Sequence, residues 1–172
     1  MREEAQPDSL NNSSKSAEEN SIYGETNLSP EKLDVSLVEV NNANERSTRY
    51  NADKIVDSNV ESYWKTKKGS ILDIDLEFYF EKPKSLSQIN VYSSRNEGSY
   101  TQPEEVELIF FNDSGKEITS QTITPKGSSD QWQEHKFETV DNVSRVKMEL
   151  GEPRNNTASY ITINEIRFYG TE

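Results

Sequence analysis

The chain has 172 residues, 31% of them hydrophobic and 29% charged, with a formal net charge of −12 and no cysteine. That length allows one domain with a sizeable core. The charge disfavours nucleic acid and anionic membrane surfaces as partners, and the missing thiols exclude disulfides, zinc-thiolate sites and thiol catalysis. No run approaches the roughly 20 apolar residues that a membrane-spanning helix needs.

Residues 1–33 are Ser, Asn and Glu with hardly an apolar side chain, so they cannot bury enough surface to offset their ordering entropy. They read as a disordered acidic leader or linker, with the folded domain at 34–172. From Asp34 onward, short apolar-alternating runs are separated by turn residues, the signature of antiparallel strands. The first such run is 35–40.

A loop rich in oxygen-bearing side chains follows, Tyr50 to Trp64, with one helical turn near 52–56. Calcium wants several hard oxygen ligands on a loop able to curl around it, and Asp57, Asn59 and Ser62 have the spacing to supply them from one turn. The same side chains could equally cap turns and accept backbone hydrogen bonds. Trp64 is either a platform for a sugar ring or a core residue closing the end of the fold. Lys65, Lys67 and Lys68 interrupt the acidic character of the chain, as a small positive spot or as a solvated loop.

The clearest strand is 71–80, where Leu72, Ile74, Leu76, Phe78 and Phe80 would face the core and Asp73, Asp75, Glu77 and Tyr79 water. Further strands are expected at 86–93, 105–111, 117–124, 131–137, 145–150 and 160–169. Asn112 to Gly115 reads as a hairpin turn. This pattern indicates an all-β fold, an antiparallel β-sandwich.

Two motifs carry a family resemblance. Ala52, Asp57, Ser58, Asn59, Ser62 and Trp64 follow the form Ala-x-x-x-x-Asp-Gly-Asn-x-x-Thr-x-Trp, with Ser for Gly at 58 and Ser for Thr at 62. Near the end, Asn164-Glu165-Ile166-Arg167-Phe168-Tyr169-Gly170 follows Asn-Glu-Ile-x-x-Tyr-Gly. In their order and spacing the chain resembles the discoidin or F5/8 type C domains, of galactose-binding-domain-like fold. Its pattern lies nearest the bacterial family-32 carbohydrate-binding modules. The resemblance spans residues 34–170 and implies a jelly roll.

It also implies a structural calcium, held by the side chains of Asp57, Ser62 and Glu165 and the carbonyls of Lys54, Asn59, Ser62 and Asn164. Trp64 would be structural. Arg95 stands where the family's sugar-binding arginine does, with Asn96 beside it and Tyr100 available to stack. The family's later asparagine has no clear counterpart, and the lone histidine, His135, lies in a late strand. Arg49, Tyr50, Asn155 and Tyr160 are further candidates on the loops.

The expected function is a non-catalytic binding module, recognising a carbohydrate or cell-surface polymer through loops at one end of the sandwich. A protein-interaction or spacer domain of the same fold is the alternative. The inventory of one histidine, no cysteine, no Gly-rich phosphate loop and no hydrolase serine motif speaks against an enzyme. Asp73 and Asp75 could be read as a glycosidase dyad, but on an alternating strand they fit a solvated face. A monomer is expected, outside the cell or on a bacterial cell surface, with its export signal not contained in this sequence. Membrane insertion is not expected.

Overall fold

The computed structural model describes residues 29–41, 48–94, 102–127, 130–154 and 157–172. Nine strands dominate the described residues: β1 Glu31–Leu33, β2 Leu37–Asn41, β3 Trp64–Lys65, β4 Ile74–Ser93, β5 Val106–Phe111, β6 Glu117–Ile123, β7 Gln131–Leu150, β8 Thr162–Ile163 and β9 Glu165–Thr171. Every named pairing is antiparallel, in the order β1-β9-β4-β7-β5-β6, with β2 also on β4 and with β3 and β8 forming a small sheet of their own. Among the described residues no helix is long and apolar enough to cross a membrane.

The two layers arise because β4 and β7, each 20 residues long, run through both of them. Their ladder shifts register between Tyr79–Arg145, Lys84–Val143, Leu86–Val140 and Gln88–Lys136. Pro83, with no N–H to donate, sits in that interval on one strand, and Asn142, at φ 62°, on the other. One layer is therefore β2, 74–80, 145–150, β5 and β6; the other is β1, β9, 85–93 and 131–140.

The core lies between them. Phe78 meets Phe168 edge to face at 5.1 Å, Phe80 meets the same ring at 5.5 Å, and Phe110 meets Phe137 at 5.5 Å. Leu76, Leu108, Val146, Met148, Leu86, Ile89 and Ile166 fill the space around these rings. Burial of each such side chain contributes about 1.5–3 kcal/mol.

Several expectations are corrected by the packing. Strand β1 lies inside the span read as leader, and Leu33 is buried, so the folded part begins before Asp34. Leu72 is 56% exposed, because Asp73 takes φ 55° and the strand starts only at Ile74. Glu77 is nearly buried on the face expected to be wet: Arg145 and Tyr79 cover it. The runs 71–80 and 86–93 belong to one bent strand, as do 131–137 and 145–150, while 160–169 divides at Asn164 into β8 and β9.

The hairpin turn is as expected. Asn112 Oδ1 accepts from the amides of Ser114 at 3.1 Å and Lys116 at 2.9 Å, and Gly115 takes φ 76°.

Candidate functional site

Ala52 and Ile55 anchor the start of the oxygen-rich loop by burying themselves within the single helical turn Ala52–Ile55. Beyond it the chain must reverse, and Ser58 does so at φ 64°, the left-handed region where glycine is the usual residue. A serine therefore adopts a conformation that glycine would take more readily.

Asp57 organises the rest of the loop. Its Oδ1 accepts from the Asn59 amide at 3.0 Å, and the Ser62 hydroxyl lies 2.8 Å from each of its oxygens and 2.8 Å from the Asn59 carbonyl. Asn59 Oδ1 accepts from the Glu61 amide at 3.0 Å. The Lys54 ammonium sits 3.5 Å from Asp57 Oδ2.

Asn164, from the far end of the chain, closes this loop, and Glu165 follows it. Asn164 is buried; its Nδ2 donates to the carbonyls of Val60 at 3.2 Å and Ser62 at 3.3 Å, and its Oδ1 accepts from the Ser94 amide at 3.0 Å. Glu165 is fully buried. Its Oε1 accepts from Arg167 Nε at 3.2 Å, while Oε2 has no hydrogen-bond partner among the described residues. Burial pushes the Glu165 carboxyl up, Arg167 pulls it down, and the charge of Asp57 pushes it up again, with a net rise.

Lys54, Asn59 and Ser62 thus all contact Asp57, Asn164 reaches Ser62 from the far end of the chain, and Glu165 is tied to the group through the charge of Asp57. Among the described residues no three His, Asp or Glu side chains cluster, so a cation here would take most of its ligands from carbonyl and hydroxyl oxygens. A buried carboxylate oxygen without a donor, close to a second carboxylate, suits a hard cation.

A second cluster builds up around β3. Alternation along this strand points Trp64 inward, where it is fully buried. Its indole N–H finds no acceptor among the described residues. The platform reading of Trp64 is thereby excluded. Tyr63 and Lys65, on the other face, join the candidates from the loops. Tyr50 and Tyr63 stack at 5.1 Å with their planes 35° apart, and the Arg49 guanidinium lies 5.7 Å from the centre of the Tyr50 ring. The Lys65 ammonium lies 6.0 Å from the Tyr63 ring centre and 3.7 Å from that of Tyr160. Lys65 is 3% exposed, which corrects its reading as part of a solvated loop.

No protein-family model matches the chain, and no curated protein matches it. Solved structures do. An F5/8 type C domain from Bacteroides fragilis superposes with a TM-score of 0.66 at 16% identity, over 83% of this chain and 97% of that one. The chain has the F5/8 type C fold. Two further structures with this fold are family-32 carbohydrate-binding modules from Clostridium perfringens. One belongs to ZmpB, in complex with GalNAc (TM-score 0.63, 22% identity, 81% of this chain and 34% of that one). The other belongs to NanJ, in complex with galactose (0.60, 18%, 77% and 92%).

Within the F5/8 type C fold, Arg49, Tyr50 and Tyr160 are thus linked through Tyr63 and Lys65. Tyr160 precedes β8 and does not lie in a strand. Arg95, Asn96, Tyr100 and Asn155 lie outside the described residues. Tyr63 and Lys65 were not among the sequence candidates, although the alternation about a buried Trp64 pointed to them. The side-chain brace of Asn164 had no local signal, since its partners are far away in the chain. Asp75 is 3.5 Å from the Lys147 ammonium on the sheet surface, whereas Asp73 lies exposed in the turn before β4 and not on the alternating strand expected.

Proposed function

We propose that this chain is a non-catalytic carbohydrate-binding module, gripping a polar saccharide at the end of the sandwich where β3 and β8 lie. The observation that carries this reading is the ring pile of Tyr50, Tyr63 and Tyr160, interleaved with Arg49 and Lys65. Tyrosine faces pack against the apolar face of a sugar ring, and fixed cations and amides meet its hydroxyls. Sugar-bound neighbours with the same fold support it. Arg95, Asn96, Tyr100 and Asn155, named from the sequence, are further proposed contacts to the saccharide.

One structural calcium belongs to this reading. The side chains of Asp57, Ser62 and Glu165 would hold it with the carbonyls of Lys54, Asn59, Ser62 and Asn164, stapling β9 to the early loop. The Glu165 Oε2, which has no hydrogen-bond partner among the described residues, supports the assignment. The module would act as a monomer outside the cell, on a glycan or cell-surface polymer.

A panel of immobilised glycans, probed with the whole chain and with Tyr50→Ala and Tyr160→Ala, tests the reading. Retention on at least one glycan, weakened about tenfold by either substitution under conditions where both variants remain folded, is expected. Retention on none of them, with capture of a protein ligand instead, would overturn it in favour of a protein-interaction domain.

A further inference from the structure

We propose that the cleft beside Tyr160 selects an acidic saccharide, with Lys67 and Lys68 meeting its carboxylate or sulfate and Tyr160 its ring. This rests on the carbohydrate-binding reading and adds the class of ligand. The cleft encloses ≈ 450 Å³ and is lined by Thr66, Lys67, Lys68, Ser159 and Tyr160. Its two walls are locked together. The Thr66 amide donates to the Ile161 carbonyl at 3.1 Å, the Ile161 amide to Thr66 Oγ1 at 3.0 Å, and the Gly69 amide to the Ser159 carbonyl at 2.6 Å. Gly69 makes that last contact from φ 91°, which side chains rarely allow. The lysine turn and the tyrosine turn therefore face one another across a preformed cleft rather than across two independent loops.

The charge here runs against the whole chain. At a net −12, the sequence carries no Asp or Glu from Ser62 to Leu72 and none from Pro153 to Asn164, the two stretches that supply both walls. Within them stand Lys65, Lys67 and Lys68. Lys65 is buried against the Tyr160 ring, where its ammonium, 3.7 Å from the ring centre, fixes that ring and adds positive charge behind the cleft. Lys67 and Lys68 are exposed, and among the described residues neither ammonium is engaged in an ion pair or hydrogen bond. Two ammonium groups without an ion-pair partner among the described residues, beside an aromatic wall, form a site for an anion attached to a ring, and a neutral sugar would leave both charges unused. An acidic lipid surface is less well matched, since membrane docking needs several exposed apolar side chains over a basic rim and none lines this cleft.

Titration of the whole chain with oligogalacturonate, with dextran sulfate and with a neutral galacto-oligosaccharide tests the proposal, alongside vesicles containing phosphatidylserine. Oligogalacturonate or dextran sulfate should bind more tightly than the neutral sugar, and comparing the two tells carboxylate from sulfate. Lys67→Ala/Lys68→Ala should weaken the acidic ligand about tenfold and leave thermal stability unchanged, as both side chains are exposed. The difference should shrink as salt cuts the screening length from about 10 Å at 0.1 M to about 3 Å at 1 M. Equal binding by the double variant overturns the proposal. Binding of the neutral sugar alone overturns it while leaving the carbohydrate reading intact. Binding of no sugar overturns both, and binding to the vesicles alone replaces it with a membrane role.

Discussion

Asp57 acts on Glu165 although the two lie far apart in sequence: the negative charge of the loop carboxylate adds to burial in raising the Glu165 carboxyl above its ordinary 4.5. Two carboxylates so placed repel unless a cation lies between them or a proton neutralises one. Excess calcium, added after chelator treatment, should therefore raise the unfolding temperature by several degrees. At a hundredfold over the dissociation constant the gain is about 2.7 kcal/mol. Asp57→Ala should abolish the rise. An identical melting curve with and without calcium would sink the metal assignment.

The same pair predicts a pH dependence of known sign. The folded state holds the Glu165 proton more tightly than the unfolded chain does, so this group contributes stability that is full below 4.5 and lost as pH rises through its elevated folded value. In metal-free protein, Glu165→Gln should be the more stable at neutral pH, because a buried charge has gone. Its advantage should vanish below 4.5. Urea midpoints measured across that range decide it, and a variant less stable than the parent at every pH would contradict the argument.

Glu77 behaves in the opposite way. Burial would raise its carboxyl, but hydrogen bonds from Tyr79 and Arg145 and the charges of Arg145 and Lys147 outweigh burial and lower it. Arg145 Nη1 lies 2.7 Å from Glu77 Oε2 and the Tyr79 hydroxyl 2.5 Å from it, while the Tyr79 phenol is itself pushed up to about 12. Stability from Glu77 is present above 4.5 and lost as pH falls through its lowered value. Arg145→Ala should cost about 2 kcal/mol at neutral pH. The variant should also lose less on acidification than the parent, which chemical denaturation at two pH values would measure.

Alternation made most of the strands legible in advance, because a residue's side of a strand follows from its parity. The corners were not legible. The sequence reads as two strands, 71–80 and 86–93, yet the chain continues through Pro83 as one, since the register shift accommodates a residue that cannot donate. In the site, the group from Lys54 to Ser62 could be read because its partners are neighbours in sequence. Asn164 could be placed there only through the family motif, and its bracing role depends on Val60, Ser62 and Ser94, which only the folded chain brings within reach.

The final glycine of the second motif has a steric reason that leads to the sharpest stability test. Gly170 in β9 pairs with Leu86 just where β4 shifts register, and a Cβ on it would overlap the Ser85 carbonyl oxygen. That neighbour is backbone, held on one side by β9 and on the other by β7, so it cannot swing aside as a side-chain tip would. Either β9 lifts from β4 or the corner itself must move. Lifting β9 would disturb Phe168, whose ring contacts both Phe78 and Phe80, and would loosen β1 on the other edge. Gly170→Ala should accordingly cost on the order of 3 kcal/mol, the upper part of the range for forced overpacking. Gly115→Ala provides the comparison, because a Cβ there meets nothing within 4 Å and is disfavoured only by its φ of 76°. Its cost should stay near 1 kcal/mol. Equal urea midpoints for the two variants would mean that β9 does not approach β4 so closely.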